Sequence, residues 1–238
     1  MELKLVIMVD EFPSTVANIA KKSGDGTAVR FLQMNRTLRQ ISTKAVQMIY
    51  TGSIGLPALV SRLSASESVN DMYNFEIPPF TAEEAFDLCK TLFAKEQVNI
   101  SDELIRQLLE RIGWLMPFFV QLAVSQVSDI YFDNKKTPVT AENLEEAIER
   151  SSGLRNNNHF ESYYQRINNS FKADGAAFAH DLLRKIAHQD AVPVEEAFTG
   201  ADGNETERRR FILNSLELDG YITQFQGTFR FHSPILQQ

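Results

Sequence analysis

The chain has 238 residues, a formal net charge of −7 and an apolar share of 43%. This composition is globular rather than disordered and long enough to bury a useful core, and the negative balance excludes a general attraction to nucleic acid or anionic lipid. The single cysteine, Cys89, excludes an internal disulfide, and neither it nor the four histidines stand at metal-ligand spacing. No apolar run reaches membrane length and the N-terminus lacks the pattern of a signal peptide, so a cytoplasmic setting without membrane attachment is expected.

Residues 1–80 alternate strand and helix. Leu5–Val9 is a near-continuous apolar run, the pattern of a strand covered on both faces, and it delivers Asp10 and Glu11 to its end. Residues 27–40 have helical spacing, with Val29, Phe31, Leu32 and Leu38 inward. A second strand over 45–50 is closed by Thr51-Gly52-Ser53, and a third over 73–77 is stopped by Pro78-Pro79. Strands alternating with helices imply a parallel sheet with crossover helices.

Residues 81–152 read as helical throughout. Thr81-x-x-Glu84 is a capping box opening a helix through Phe93. Ser101 caps a second helix through Ile112, with Leu104 standing where a full box carries Glu or Gln, and Gly113 ends it. Helices follow over 117–132 and 140–150, the latter with Thr140 and Asn143 near its start. Residues 153–238 predict helices over 160–171 and 175–188, a short one over 193–198, and a longer one over 205–219 with Asn204 as N-cap. Segments 221–225 and 228–232 then alternate about Gln226-Gly227, a hairpin signature. Helices followed by a two-stranded wing describe a winged helix. The expected class is α/β plus α: a parallel sheet, a helical region and a C-terminal winged helix.

The chemistry gathers at the ends of the first two strands. An open parallel sheet places its ligands beyond the carboxyl ends of its strands, where Asp10 and Glu11 stand. Neighbouring strand residues face different ways, so one acid can hold a hydrated magnesium ion while the other orients or deprotonates a water attacking a phosphoryl group. Thr51 and Ser53 bring hydroxyls to the same edge, able to bind that water or a terminal phosphate. The plain alternative is two strands ending in polar turns.

The ordered set carries a resemblance. LVIMVDEF looks like a Walker B motif, and VQMIYTGSIGL resembles the sensor-1 strand of prokaryotic AAA+/STAND-type P-loop ATPases. SVNDMYNFEIPPFTAEEAFDL resembles the last core strand entering the family's helical lid, IGWLMPFFVQL its Gly…Pro stretch, and DGYI…FRFHSPIL the winged helix that follows. The resemblance implies a nucleotide-binding core over 1–80, a lid over 81–152 and a winged-helix domain over 153–238. It implies Asp10 as the acid ordering magnesium through water, Glu11 as catalytic base, Thr51 or Ser53 as sensor, and Gly113 and Pro117 beside the nucleotide. ATP and Mg2+ are the implied cofactors. This chain has G-x-x-x-P where many relatives have G-x-P.

One part of the pattern is not among these residues: no G-x-x-x-x-G-K-[ST] occurs, and the glycine-rich Ser23–Thr27 stretch follows the acids. That loop supplies backbone N–H groups and a lysine to phosphates. The expectation is a chain that starts inside its own domain and lacks an upstream P-loop segment. In the family the strand bearing that loop lies between those at 45–50 and 73–77, so a rearranged or partner-completed sheet is expected. A protein partner or self-association follows from the same gap.

Arg208-Arg209-Arg210 begins the helix that would recognise DNA, and DNA is the alternative partner, although Glu195, Glu196, Asp202 and Glu205 surround it. The alternative function is a winged-helix DNA- or protein-binding module on a non-hydrolysing scaffold. Arg62 stands where such ATPases can carry an arginine finger, or is a solvated helix residue. Trp114 could stack on an adenine or pack beneath the lid. His232 reads as structural, Tyr163, Tyr164 and Phe171 as packing residues, and Cys89 as an inert core thiol.

Overall fold

The computed structural model describes residues 5–41, 46–52, 55–75, 77–153 and 157–237. The chain forms two compact units. The first comprises Met1–Phe75, Tyr163–Asp181 and Gly200–Asp219, and the second Glu76–Ser162, Leu182–Thr199 and Gly220–Gln238.

The first unit is built on strands β1 (Leu5–Val9) and β2 (Val46–Tyr50), which pair in parallel with Leu5 opposite Val46 and Val9 opposite Tyr50. Helices α1 (Phe12–Ser23) and α2 (Asp25–Ile41) join them. Val9 and Tyr50 pack on a core of Phe12, Val16, Leu32 and Leu59. On the other face Val6 and Met8 are 50% and 72% exposed. The run expected to be covered on both faces is therefore covered on one, because the helices that cross between β1 and β2 supply a single layer.

The third strand expected over 73–77 is not formed among its described residues, and Tyr73, Phe75 and Ile77 are exposed. Among the described residues the sheet consists of β1 and β2, and none of them forms a neighbouring strand that accepts the backbone groups of this segment. What does fix the approach to it is Arg39 on α2, which donates to Asp71 at 2.9 and 2.7 Å and to the Ser68 carbonyl at 2.7 Å.

Two α-helices of the first unit have no counterpart among the expected elements. Helix α1 starts with Phe12-Pro13, where proline costs no hydrogen bond, and buries Phe12, Val16 and Ala20. Helix α3 (Leu56–Arg62) again starts with proline and buries Ala58, Leu59 and Val60. Leu38, expected inward on α2, is 45% exposed, while Ala28 and Leu32 hold the buried stripe.

Helices α4 (Ala82–Glu96), α5 (Asp102–Ile112), α6 (Pro117–Asp133) and α7 (Ala141–Ser152) fall in the second unit. Thr81 and Glu84 make both bonds of the capping box, and Ser101 accepts the Leu104 N–H at 3.3 Å. Thr140 and Asn143 form a second box. Gly113, in a left-handed conformation, ends α5, and Pro117 opens α6.

Helices α8 (Asn157–Ser170) and α9 (Ala173–Gln189) follow, then β3 (Val192–Pro193) and α10 (Gly203–Leu218). The cap of α10 is Asp202, whose side chain accepts the Glu205 N–H at 2.9 Å, not Asn204. The helix begins at Gly203, which leaves Asn204 already inside its first turn. Strands β4 (Ile222–Phe225) and β5 (Thr228–Phe231) form the expected hairpin, with β3 added beside β5. Gln226 and Gly227 both have positive φ, 48° and 77°, as a tight hairpin turn requires. A short helix, α11 (Pro234–Gln237), ends the described chain.

Candidate functional site

The ends of β1 and β2 meet through three hydrogen bonds. The Thr51 N–H donates to the Val9 carbonyl at 3.0 Å, and the Phe12 N–H donates to the Thr51 carbonyl at 3.0 Å. The Thr51 hydroxyl then donates to Asp10 Oδ1 at 2.5 Å. The residues expected to work together from separate strands are thus in direct contact, on an exposed rim.

Asp10 Oδ1 also accepts the Glu11 N–H at 2.9 Å. The Thr51 hydroxyl first, and the Glu11 N–H second, hold the Asp10 carboxyl below its ordinary pKa. It is ionised at neutral pH with one oxygen engaged by the protein.

Glu11 bridges strand and helix in one residue. Its φ of 50° and ψ of 35° lie in the left-handed region, which costs a non-glycine residue roughly 1–2 kcal/mol. Such strain collects at functional sites when the surroundings enforce it. Here the enforcement is visible: Phe12 is buried, Thr15 donates its N–H to the Glu11 carbonyl at 2.9 Å, and the Ser14 hydroxyl donates to Glu11 Oε2 at 2.6 Å.

Gly52 lets the two strand ends close. A Cβ at this position would lie 2.4 Å from Pro13 Cδ and 3.0 Å from Pro13 Cγ. The buried proline ring therefore occupies the volume of a missing side chain, and the glycine is required by packing rather than by backbone conformation. Neither Gly52 nor Ser14 is among the residues expected from sequence to serve the site. An E-x-x-S spacing at a helix start is the signal that points to Ser14; nothing local marks the approach of Pro13.

Ser53, the alternative sensor, lies outside the described residues. Gly113 and Pro117 belong to the second unit. Beside them Trp114 packs on Phe119 and His232, with ring centroids 5.6 and 5.0 Å apart, and covers Gly220. Among the described residues no cluster of three or more His, Cys, Asp or Glu could hold a metal by itself.

The remaining candidates, Arg62 apart, are engaged structurally. Arg208 pairs with Asp174 at 2.6 Å, Arg209 with Glu205 at 3.0 Å and Arg210 with Glu207 at 3.1 Å, so acids of this chain already meet the basic run. Arg62 is half-buried, and its Nε has no hydrogen-bond partner among the described residues. Cys89 is fully buried and its thiol pKa is pushed up to about 12 by burial, which makes it unreactive. Phe171 is buried, whereas Tyr164 is 59% exposed and stacks on His180 at 4.2 Å.

No family model matches the chain, and no curated protein sequence matches it. Among solved structures it is similar to the Walker-type ATPase of Pyrococcus abyssi, with 16% identity and a TM-score of 0.57. That likeness is one of fold: this chain folds like part of that ATPase. The match covers 98% of this chain and 62% of the Pyrococcus one, so the chain spans less than two thirds of that protein's length. The RuvB Holliday junction branch migration motor of Thermotoga maritima is a more distant likeness, 10% identical with a TM-score of 0.44, over 95% of this chain and 75% of that one. Among the described residues no helix is long and apolar enough to cross a membrane.

Proposed function

We propose that the chain is the C-terminal portion of a cytoplasmic ATP-binding and ATP-hydrolysing ATPase of the AAA+/STAND type, acting as a nucleotide-dependent switch. On this reading residues 81–152 are the lid and residues 153–238 a winged helix. The observation that carries it is the Thr51-to-Asp10 hydrogen bond across the exposed ends of two parallel strands, beside a glutamate held in a strained conformation.

Each residue then has a distinct task. Asp10, ionised and with Oδ1 engaged by Thr51 and the Glu11 N–H, would hold a magnesium ion through water. When bound, that ion neutralises charge on the ATP phosphates. Glu11 takes a proton from the attacking water as its oxygen bonds to the terminal phosphorus and the bond to ADP breaks. Thr51 orients the rim and reports its occupancy, with Ser53 as the alternative. Gly113 and Pro117 are the lid residues that the resemblance assigns to the nucleotide.

The phosphates themselves need a strand-borne loop with a lysine that these residues do not contain. The bare face at Val6 and Met8 and the unpaired stretch at Tyr73 and Phe75 support a sheet completed by that segment. Isothermal titration tests the assignment. MgATP titrated into this chain alone gives weak or no binding, and the chain extended by the residues encoded directly upstream binds it. Tight binding by this chain alone would overturn the proposed need for a P-loop. The alternative is a winged-helix DNA- or protein-binding module on a non-hydrolysing scaffold, and its DNA-binding form gains no observation, since Arg208, Arg209 and Arg210 are already paired.

A further inference from the structure

We propose that Asp219, pressed against Gly55 where α10 ends and α3 begins, is a proton-sensitive joint whose ionisation loosens α10 from α3.

The contact is close and specific to the two residue types. A Cβ on Gly55 would lie 2.9 Å from Asp219 Oδ1 and 3.4 Å from Oδ2, so the carboxyl rests against the bare Cα of Gly55. Asp219 is held there by its backbone, whose N–H donates to the Ser215 carbonyl at 2.9 Å in the last turn of α10. Among the described residues its carboxyl makes no hydrogen bond that would satisfy the charge. Removing a carboxylate from water without such a partner disfavours the ionised form.

The surrounding charges do not cancel this. Burial pushes the Asp219 carboxyl up to about 6, and Arg166 on α8 pulls the other way without offsetting it. The carbonyl end of α10 also disfavours a negative charge, whereas the start of α3 favours one. Helix α3 presents Gly55 to the carboxyl and carries no titratable residue before Arg62. A group whose pKa is raised in the closed joint favours closure at low pH. That contribution is lost as pH climbs from the ordinary value of 3.8 past 6.

The joint also reaches the candidate site through packed side chains. Leu59 and Val60 of α3 share one core cluster with Phe12, which follows Glu11 directly. Coupling between that site and α10 rests on the nucleotide reading; the joint itself does not.

Amide hydrogen exchange on the full chain tests the joint without nucleotide. After correction for intrinsic rates, opening at residues 56–60 and 214–219 should be about tenfold greater at pH 7.5 than at pH 5, from a pKa of 3.8 open and about 6 closed. Asp219→Asn should abolish that difference. An unchanged pH response in Asp219→Asn, or none in the parent chain, overturns the proposal. Arg166→Gln provides a second route should the first variant not fold: it should move the midpoint to higher pH, and an unmoved midpoint overturns the proposal equally.

Discussion

Replacing Gly52 by alanine places a methyl group 2.4 Å from Pro13 Cδ, well inside contact distance. Pro13 cannot yield as a flexible side chain would, because its ring is fixed to the backbone of a buried first turn of α1. The turn at Thr51 and the start of α1 must separate. Overpacking of this kind costs about 1–3 kcal/mol, and the strained Phe12-to-Thr51 backbone bond adds roughly 0.5–1.5 kcal/mol. Gly52→Ala should therefore lose about 1.5–4.5 kcal/mol in urea unfolding, the sum of these ranges. Gly26→Ala is the control, since beyond its chain neighbours and its own helix backbone nothing lies within 4 Å of the added methyl and it sits in α2; it should gain about 0.5–1 kcal/mol. Equal tolerance of the two substitutions would refute the role given to the Pro13 approach.

Thr51→Val removes the largest influence lowering the Asp10 pKa. Its carboxyl should titrate at higher pH by carbon-13 NMR while the exposed rim stays folded; an unmoved titration would show that the hydroxyl does not engage the acid in solution. Gly220→Ala would set a methyl 2.0 Å from Trp114 Cη2 at a φ of +77°. It should cost about 2–4 kcal/mol through overpacking and backbone strain, read from the fluorescence of the single tryptophan. A loss below about 0.5 kcal/mol, the scale of an inconsequential surface change, would contradict that packing.

What could be read from the sequence followed from local physics. The apolar run at Leu5–Val9, the reciprocal caps at Thr81 and Glu84, and the Gln226-Gly227 turn each carry their own cause within a few residues. The meeting of Asp10 with Thr51 was also legible, because parallel strands bring their carboxyl ends to one edge. What escaped depends on distant neighbours. Helix α1 starts with Phe12-Pro13 immediately after a strand, and only burial of Phe12 and Val16 makes it a helix rather than a turn. Strand-like alternation at Tyr73, Phe75 and Ile77 stays unpaired because pairing needs a partner strand, which local pattern cannot supply. The close approaches at Gly52 and Gly220 are set by Pro13 and Trp114, far away in sequence.

The chemistry assigned to the rim is tested most directly by single-turnover ATP hydrolysis in the chain extended by the P-loop segment proposed above, comparing Glu11→Gln with the parent. Glu11→Gln should retain MgATP and hydrolyse it about 10²- to 10⁴-fold more slowly, the contribution expected of a positioned base. Undiminished hydrolysis in Glu11→Gln would contradict the assignment of this strained glutamate as the group that activates water.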